Sequence, residues 1–352
     1  MTRANPAPAT PAPSLLARLR PARIVVLRAL QLGDMLCAVP ALRALRGACA
    51  DAHITLVGLP WAAAFARRYR RYVDDFVAFP GFPGFPEREA DIAAFPAFLT
   101  TLQARRFDLA LQLHGDGRLS NAVTQLFGAR VTAGFGTGMD EHTLPYPAAG
   151  SEIHRLLALT DFIGAARAGD ALEFPLDPAD EAELAASGVA RGLAPGRYIC
   201  LHAGARQADK RWAPERFAAV GDALHAATGL PLVLTGSEAE TDITRAVRAA
   251  LRTPAVDAAA PISAGALAAL LAGSRLLVCN DTGVAHIAAG LRLPSVVVFR
   301  ATEMARWAPL DRRLHRAVWT PDHPDDGLSA VLDEAHALLA APPPAATAPA
   351  PA

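Results

Sequence analysis

The sequence predicts an α/β fold of two domains, each a parallel sheet covered by helices, facing a cleft. Three observations carry this. Residues 278–299, VCNDTGVAHIAAGLRLPSVVVF, read as an apolar strand, a small polar turn (Asn280-Asp281-Thr282-Gly283), a helix and a second β-branched strand. A similar strand–turn–helix unit lies at residues 24–44, near the other end. A length of 352 residues favours two domains over one. In open α/β sheets the turn at a strand's carboxyl end is where ligands are held, and a helix N-terminus there offers backbone N–H groups to an anion.

Taken in order, residues 1–22 are rich in Ala and Pro and read as a disordered tail without the apolar core of a secretory signal. A strand at 24–27 precedes a helix over about 35–47; strands follow at 53–57 and 109–113. The repeat Phe79-Pro-Gly-Phe-Pro-Gly-Phe-Pro86 is too dense in Pro for a regular element and reads as a semi-rigid loop. A helix at 153–163 closes the first domain, 23–165. Residues 166–196, with Pro175, Pro178 and Pro195 and a short acidic helix at 180–186, read as the inter-domain connection. The second domain, 197–340, alternates strands at 198–202, 231–235, 276–279 and 295–299 with helices such as 214–228 and 241–251. Residues 341–352 form a second disordered tail.

Composition narrows the function classes. The chain is 52% hydrophobic and 19% charged, enough for a sizeable core. Its 34 basic and 34 acidic side chains cancel, which argues against bulk polyanion binding and against a nucleic-acid partner. Cys37, Cys49, Cys200 and Cys279 show no paired metal spacing and read as reduced, structural thiols, so no metal is expected and the chain is placed in the cytoplasm. No apolar run reaches the roughly 18–20 residues of a membrane span.

Five strand-end segments have the residues for chemistry, each beside a plainer reading. Asp34 either caps the following helix or, as a carboxylate at a cleft mouth, takes a proton from an attacking hydroxyl. The loop His202-Ala-Gly204-Ala205-Arg206-Gln-Ala-Asp-Lys210-Arg211-Trp212 combines small residues with positive charge, as a diphosphate requires, without a Walker loop. Glu238 either accepts from a ribose diol or belongs to an N-cap box for the next helix. Asp281, Thr282 and Gly283 with His286 form an anion-suited turn with a titratable ring in its first helical turn, or a simple cap. His114, Asp116 and Arg118 end a strand of the first domain and suit a second substrate, or an ordinary turn. Residues 61–72, WAAAFARRYRRY, suit peripheral contact with anionic headgroups, or form a solvated basic face.

Leu-Gly-Asp34-Met with Val-Pro40-Ala-Leu, then His-Ala-Gly-Ala…Lys-Arg-Trp212-Ala-Pro-Glu-Arg-Phe217, then Thr-Gly-Ser-Glu238, then Asn-Asp281-Thr-Gly-Val-Ala-His286 stand in an order that resembles glycosyltransferase family 9, the ADP-heptose:lipopolysaccharide heptosyltransferases, over roughly residues 23–318. The resemblance implies a GT-B fold of two Rossmann-like domains, the first holding a glycan or glycolipid acceptor and the second a nucleotide-sugar. It implies inverting, metal-independent transfer of a heptose or related sugar from an ADP-sugar co-substrate, with no resident cofactor. By the same resemblance Asp34 is the general base, Lys210 contacts the donor phosphates, Glu238 the ribose, and Asp281, Thr282, Gly283 and His286 the diphosphate. The cytoplasmic placement read from the cysteines becomes the inner face of the membrane if residues 61–72 bind there. Some members carry Thr-Thr where this chain has Gly204 and Ala205, so backbone N–H groups replace hydroxyls at that point. Nucleotide-sugar 2-epimerases and non-catalytic sugar-nucleotide binders share the architecture and stand as alternatives.

Overall fold

The structure, a computed structural model, describes residues 13–342; the expected tail residues 1–12 and 343–352 lie outside the described residues. The chain forms two compact units. The first runs to Leu30 and takes in Pro40–Pro147 and Arg155–Gly169; the second holds Gln31–Val39, Ala148–His154 and the chain from Asp170 onward. The turn bearing Asp34 is therefore part of the second unit.

The first unit has six strands: β1 (Arg23–Leu27), β2 (His53–Gly58), β3 (Asp75–Ala78), β4 (Leu109–Gln112), β5 (Val131–Gly136) and β6 (Thr143–Pro145). All pair in parallel, in the order β3-β2-β1-β4-β5-β6. The second unit repeats the plan with β7 (Ile199–His202), β8 (Leu232–Thr235), β9 (Ala255–Ala258), β10 (Leu276–Asn280), β11 (Ser295–Phe299) and β12 (His315–Trp319), ordered β12-β11-β10-β7-β8-β9. In each sheet the first and fourth strands are neighbours, with Ile24 opposite Leu109 and Ile199 opposite Leu276. The chain winds outward from that pair in both directions. The crevice beyond the carboxyl ends of the pair is the topological switch point, where such sheets hold ligands.

The central strands form because their residues are β-branched or aliphatic without alternation. RIVVL, ICLH, LLVCN and SVVVF are buried almost throughout, as strands covered on both faces must be. One core gathers Val25, Leu27, Phe79, Phe98, Phe107 and Phe127; the other gathers Ile199, Trp212, Phe217, Leu234, Val278 and Val298.

Three expectations are corrected. Residues 13–22 are ordered: Ser14 caps a helix at Leu15–Leu19, whose Leu15 and Leu16 are buried. The single helix expected at 35–47 is two, Leu32–Cys37 and Val39–Ala48, because Pro40 lacks the N–H that would bond the Leu36 carbonyl and its ring crowds that oxygen. The acidic helix of the connection is longer, Pro178–Ser187, since Asp177 and Asp180 complete a reciprocal capping box. Strands β3, β5, β6, β9 and β12 were not anticipated; all five carry Asp, Pro, Gly or Arg, which break the apolar signal, and β9, Ala-Val-Asp-Ala, is also short and half exposed.

Candidate functional site

At the second unit's switch point, β7 and β10 are stitched together by one side chain. Asn280 Nδ2 donates to the Ala203 carbonyl (2.8 Å), and its Oδ1 accepts from the Trp212 backbone N–H (3.0 Å). Arg211 Nε donates to the Ala205 carbonyl (2.7 Å), closing the loop between β7 and the helix Pro214–Thr228. Trp212 is fully buried, its indole N–H bonded to Asp326, so the loop is anchored at its far end as well.

This stitching aims Lys210 at the β10 turn. Lys210 Nζ lies 2.9 Å from Asp281 Oδ2, and Thr302 Oγ1, on the loop after β11, donates to the same oxygen at 2.5 Å. The Asp281 side chain is 5% exposed, so the pair is held in a medium where charge interactions count for more than in water. Asp281 does not cap the helix Gly283–Leu291: Thr282 occupies the N-cap position without a side-chain cap bond. The plainer reading as a cap is thereby set aside for Asp281, while Thr282 keeps the N-cap position without a side-chain bond.

Asp34 sits in the first turn of Leu32–Cys37, whose N-cap is Gln31, so it does not cap either. A carboxylate there is favoured by the helix dipole. That short helix packs against Gly283–Leu291 through two glycines: a Cβ on Gly33 would come 2.8 Å from His286 Cδ2, and one on Gly283 would come 3.3 Å from the Gly33 nitrogen. His286 is buried, with Nδ1 3.7 Å from Cys37 Sγ. Burial pushes its imidazole below the usual value, against the fields of Asp281 and Asp34 that pull it upward. The structure thus brings Asp34, Lys210, Asp281, Thr282, Gly283 and His286 into one unit, with the His ring packed beneath the surface.

Gly204 and Ala205 are buried in the loop, while Arg206 is exposed. Gly204 has no room for a side chain, since a Cβ would meet the Glu240 carboxylate at 2.2 Å. Glu240, absent from the sequence reading, reaches this loop where Glu238 does not: Glu238 begins the short 3-10 turn Glu238–Glu240 and is exposed. Burial raises the Glu240 carboxyl, but His202, the Ser237 N–H and hydroxyl and Arg211 outweigh it and hold it below the ordinary value. The signal was present as Ser237-x-x-Glu240, a capping box, which is the box that forms. Thr302 had no sequence signal.

His114, Asp116 and Arg118 lie in the first unit. Asp116 and Arg118 pair at 3.3 Å near the surface, while His114 is buried. In residues 61–72 the aromatics Phe65, Tyr69 and Tyr72 turn inward, leaving Arg67, Arg70 and Arg71 outside and Trp61 partly exposed. Among the described residues no helix is long and apolar enough to cross a membrane, and no group of His, Cys, Asp and Glu is arranged to hold a metal.

Residues 96–325 match the family model described as glycosyltransferase family 9 (heptosyltransferase). The chain belongs to glycosyltransferase family 9. Among relatives of this family 9 chain, lipopolysaccharide heptosyltransferase 3 of Escherichia coli is 33% identical over 129 residues, 36% of this chain and 37% of that protein. The chain thus spans little over a third of that curated relative in the match. Two solved structures share the fold. The glycosyl transferase family 9 protein of Veillonella parvula has a TM-score of 0.76 at 20% identity, covering 90% of this chain and 97% of its own. The ADP-heptose lipopolysaccharide heptosyltransferase II of E. coli has a TM-score of 0.70 at 23% identity, covering 90% and 98%. The GT-B fold expected of a family 9 chain, with two Rossmann-like parallel sheets, is the fold found.

Proposed function

We propose that the chain moves a heptose, or a related sugar, from an ADP-sugar to a glycan acceptor such as the lipopolysaccharide inner core, inverting the anomeric centre without a metal. The observation that supports this most is the pairing of half-buried Lys210 and Thr302 on the buried Asp281 carboxylate at the second unit's switch point, beside the glycine contact that carries Asp34. It sets a cation for a diphosphate and a carboxylate for a hydroxyl proton within one unit.

In the reaction the acceptor oxygen attacks the anomeric carbon from the face opposite the diphosphate, and Asp34 takes its proton. The anomeric carbon–oxygen bond breaks as ADP departs. Lys210, Arg206 and the backbone N–H groups at Asp281, Thr282 and Gly283 offset the charge that develops. Lys210 turns from Asp281 toward the phosphates, and Thr302 continues to satisfy the Asp281 oxygen. We assign the ribose hydroxyls to Glu240 rather than Glu238, because only the Glu240 carboxylate stands over Gly204. The acceptor falls to the first unit, around Asp116 and Arg118. A peripheral membrane contact through the arginines of residues 61–72 suits a glycolipid acceptor.

The test is a calorimetric titration of ADP-, UDP- and GDP-sugars, followed by mass spectrometry of acceptors with the donor that binds. The expected result is binding of the ADP-sugar and addition of one sugar residue to a core lacking heptose, undiminished by EDTA. Isomerisation of a sugar-nucleotide with no acceptor consumed would overturn the proposal.

A further inference from the structure

The first unit's switch point, between β1 and β4, holds a buried assembly that the transfer chemistry does not use. The Ala29 backbone N–H donates to His114 Nδ1 at 3.2 Å, bridging the ends of the two strands. The ring proton of the neutral imidazole therefore sits on Nε2, which faces Glu87 Oε2 at 3.8 Å. The buried Arg28 guanidinium donates to the Leu113 carbonyl, immediately before His114. Burial and this neighbouring cation hold His114 at about 3, so it stays neutral in the working pH range.

The Phe-Pro-Gly repeat lies against this assembly. Phe82-Pro83-Gly84-Phe85 is a turn closed by Phe85 N–H to Phe82 carbonyl (3.0 Å), with Pro fixing the first central residue and Gly84 at φ +91° the second. The three-residue period brings Phe79, Phe82 and Phe85 into one aromatic cluster with Phe95 and Phe98. Phe85 then packs against His114, ring centroids 4.7 Å apart and the rings tilted by 50°. Pro83, Gly84 and Pro86 remain exposed and Phe82 half-buried, so the rim of the loop is uncharged carbon up to Glu87.

We infer that His114 is a positioning residue which latches the loop of residues 79–87 over the first switch point as a fixed wall, and that this wall selects the acceptor by packing against the C–H face of its terminal sugar. The inference rests on the proposed transferase activity. A wall ordered before binding loses no loop entropy when the acceptor arrives, which is why latching translates into acceptor affinity.

The experiment compares wild type with His114→Ala, His114→Asn and Gly84→Ala, using an ADP-heptose donor and a heptose-free lipopolysaccharide core. Asn retains an acceptor oxygen for the Ala29 N–H, and Gly84→Ala strains the turn at its positive φ and sets a methyl 2.8 Å from Leu119 Cδ2, without touching His114. Hydrogen exchange over residues 79–91 is followed without ligand. The expected result is faster exchange in His114→Ala and Gly84→Ala, with acceptor KM raised about tenfold and donor KM within about twofold of wild type. His114→Asn should recover most of the loss. Transfer by wild type with acceptor KM unchanged in both His114→Ala and Gly84→Ala overturns the inference alone. Absence of transfer by wild type overturns the activity on which it rests.

Discussion

Asp281 Oδ2 accepts from both Lys210 and Thr302, so at the level of single residues its carboxylate is committed to side chains rather than to a helix cap. A lysine parked on a buried carboxylate is already oriented toward the turn, so the proposed exchange of that carboxylate for donor phosphates asks for little reorganisation. Lys210→Ala should lower kcat about 100-fold to 1,000-fold, the loss typical of one well-placed donor. Asp34→Asn should cost about 100-fold or more in kcat with donor Kd near wild type, because in the proposed reaction it removes the base and no phosphate contact. Single-turnover rates and calorimetric donor titrations separate the two; wild-type rates for Asp34→Asn would remove it as base. Glu240 and Glu238 make a third comparison. Glu240→Gln should weaken donor binding several-fold while Glu238→Gln leaves it unchanged, because only Glu240 reaches the Gly204 loop; the reverse ranking in the same titration would restore Glu238.

Between elements, the decisive contact is that of the helices Leu32–Cys37 and Gly283–Leu291, which approach through glycines on both sides. Gly33→Ala places a methyl 2.8 Å from the His286 ring, which is boxed in by Cys37 and cannot swing freely. The substitution should destabilise by about 1–3 kcal/mol, the usual cost of overpacking, and displace Asp34. The expected outcome is a lowered Tm together with a kcat loss measured well below that Tm; an unchanged Tm and kcat would show that the contact is slack. Much of this level was legible in the sequence. The apolar runs of β1, β7, β10 and β11 and the polar turns after them located both switch points, because strands buried on both faces leave an uninterrupted apolar signature. The edge strands were not legible, since β3 starts with Asp75 and β12 contains Arg316, tolerated only because one side meets solvent. Glu240 was hidden for a different reason. Its capping box is real, and a local pattern cannot report that the same carboxylate also overlies a loop some thirty-five residues earlier.

Across the whole molecule, neutral imidazoles are distributed unevenly between the units. His202, His286 and His315 in the second and His114 in the first are all held below the ordinary value, with burial as the largest cause for each. His315 is held at about 4 and His114 at about 3. Above about pH 6.5 these rings are neutral in both folded and unfolded chains and contribute nothing to pH dependence. As pH falls below that value the unfolded chain takes up protons that the folded chain refuses, so stability is lost progressively. The loss is about 1.4 kcal/mol per pH unit for each such ring, and it continues until the folded value is reached. With three of the four rings in the second unit, that unit should fail first, before its carboxylates protonate. Of the tryptophans, Trp212, Trp307 and Trp319 belong to it and Trp61 to the first, so emission reports mainly on the unit at risk. Urea midpoints followed by tryptophan emission should fall steadily from pH 7 to pH 4.5, ahead of the midpoint for hydrogen exchange in β1 and β4. His315→Asn, which preserves a partner for Ser295 without a titrating ring, should flatten the slope. A midpoint constant over that interval would mean that these rings take up protons without unfolding the chain.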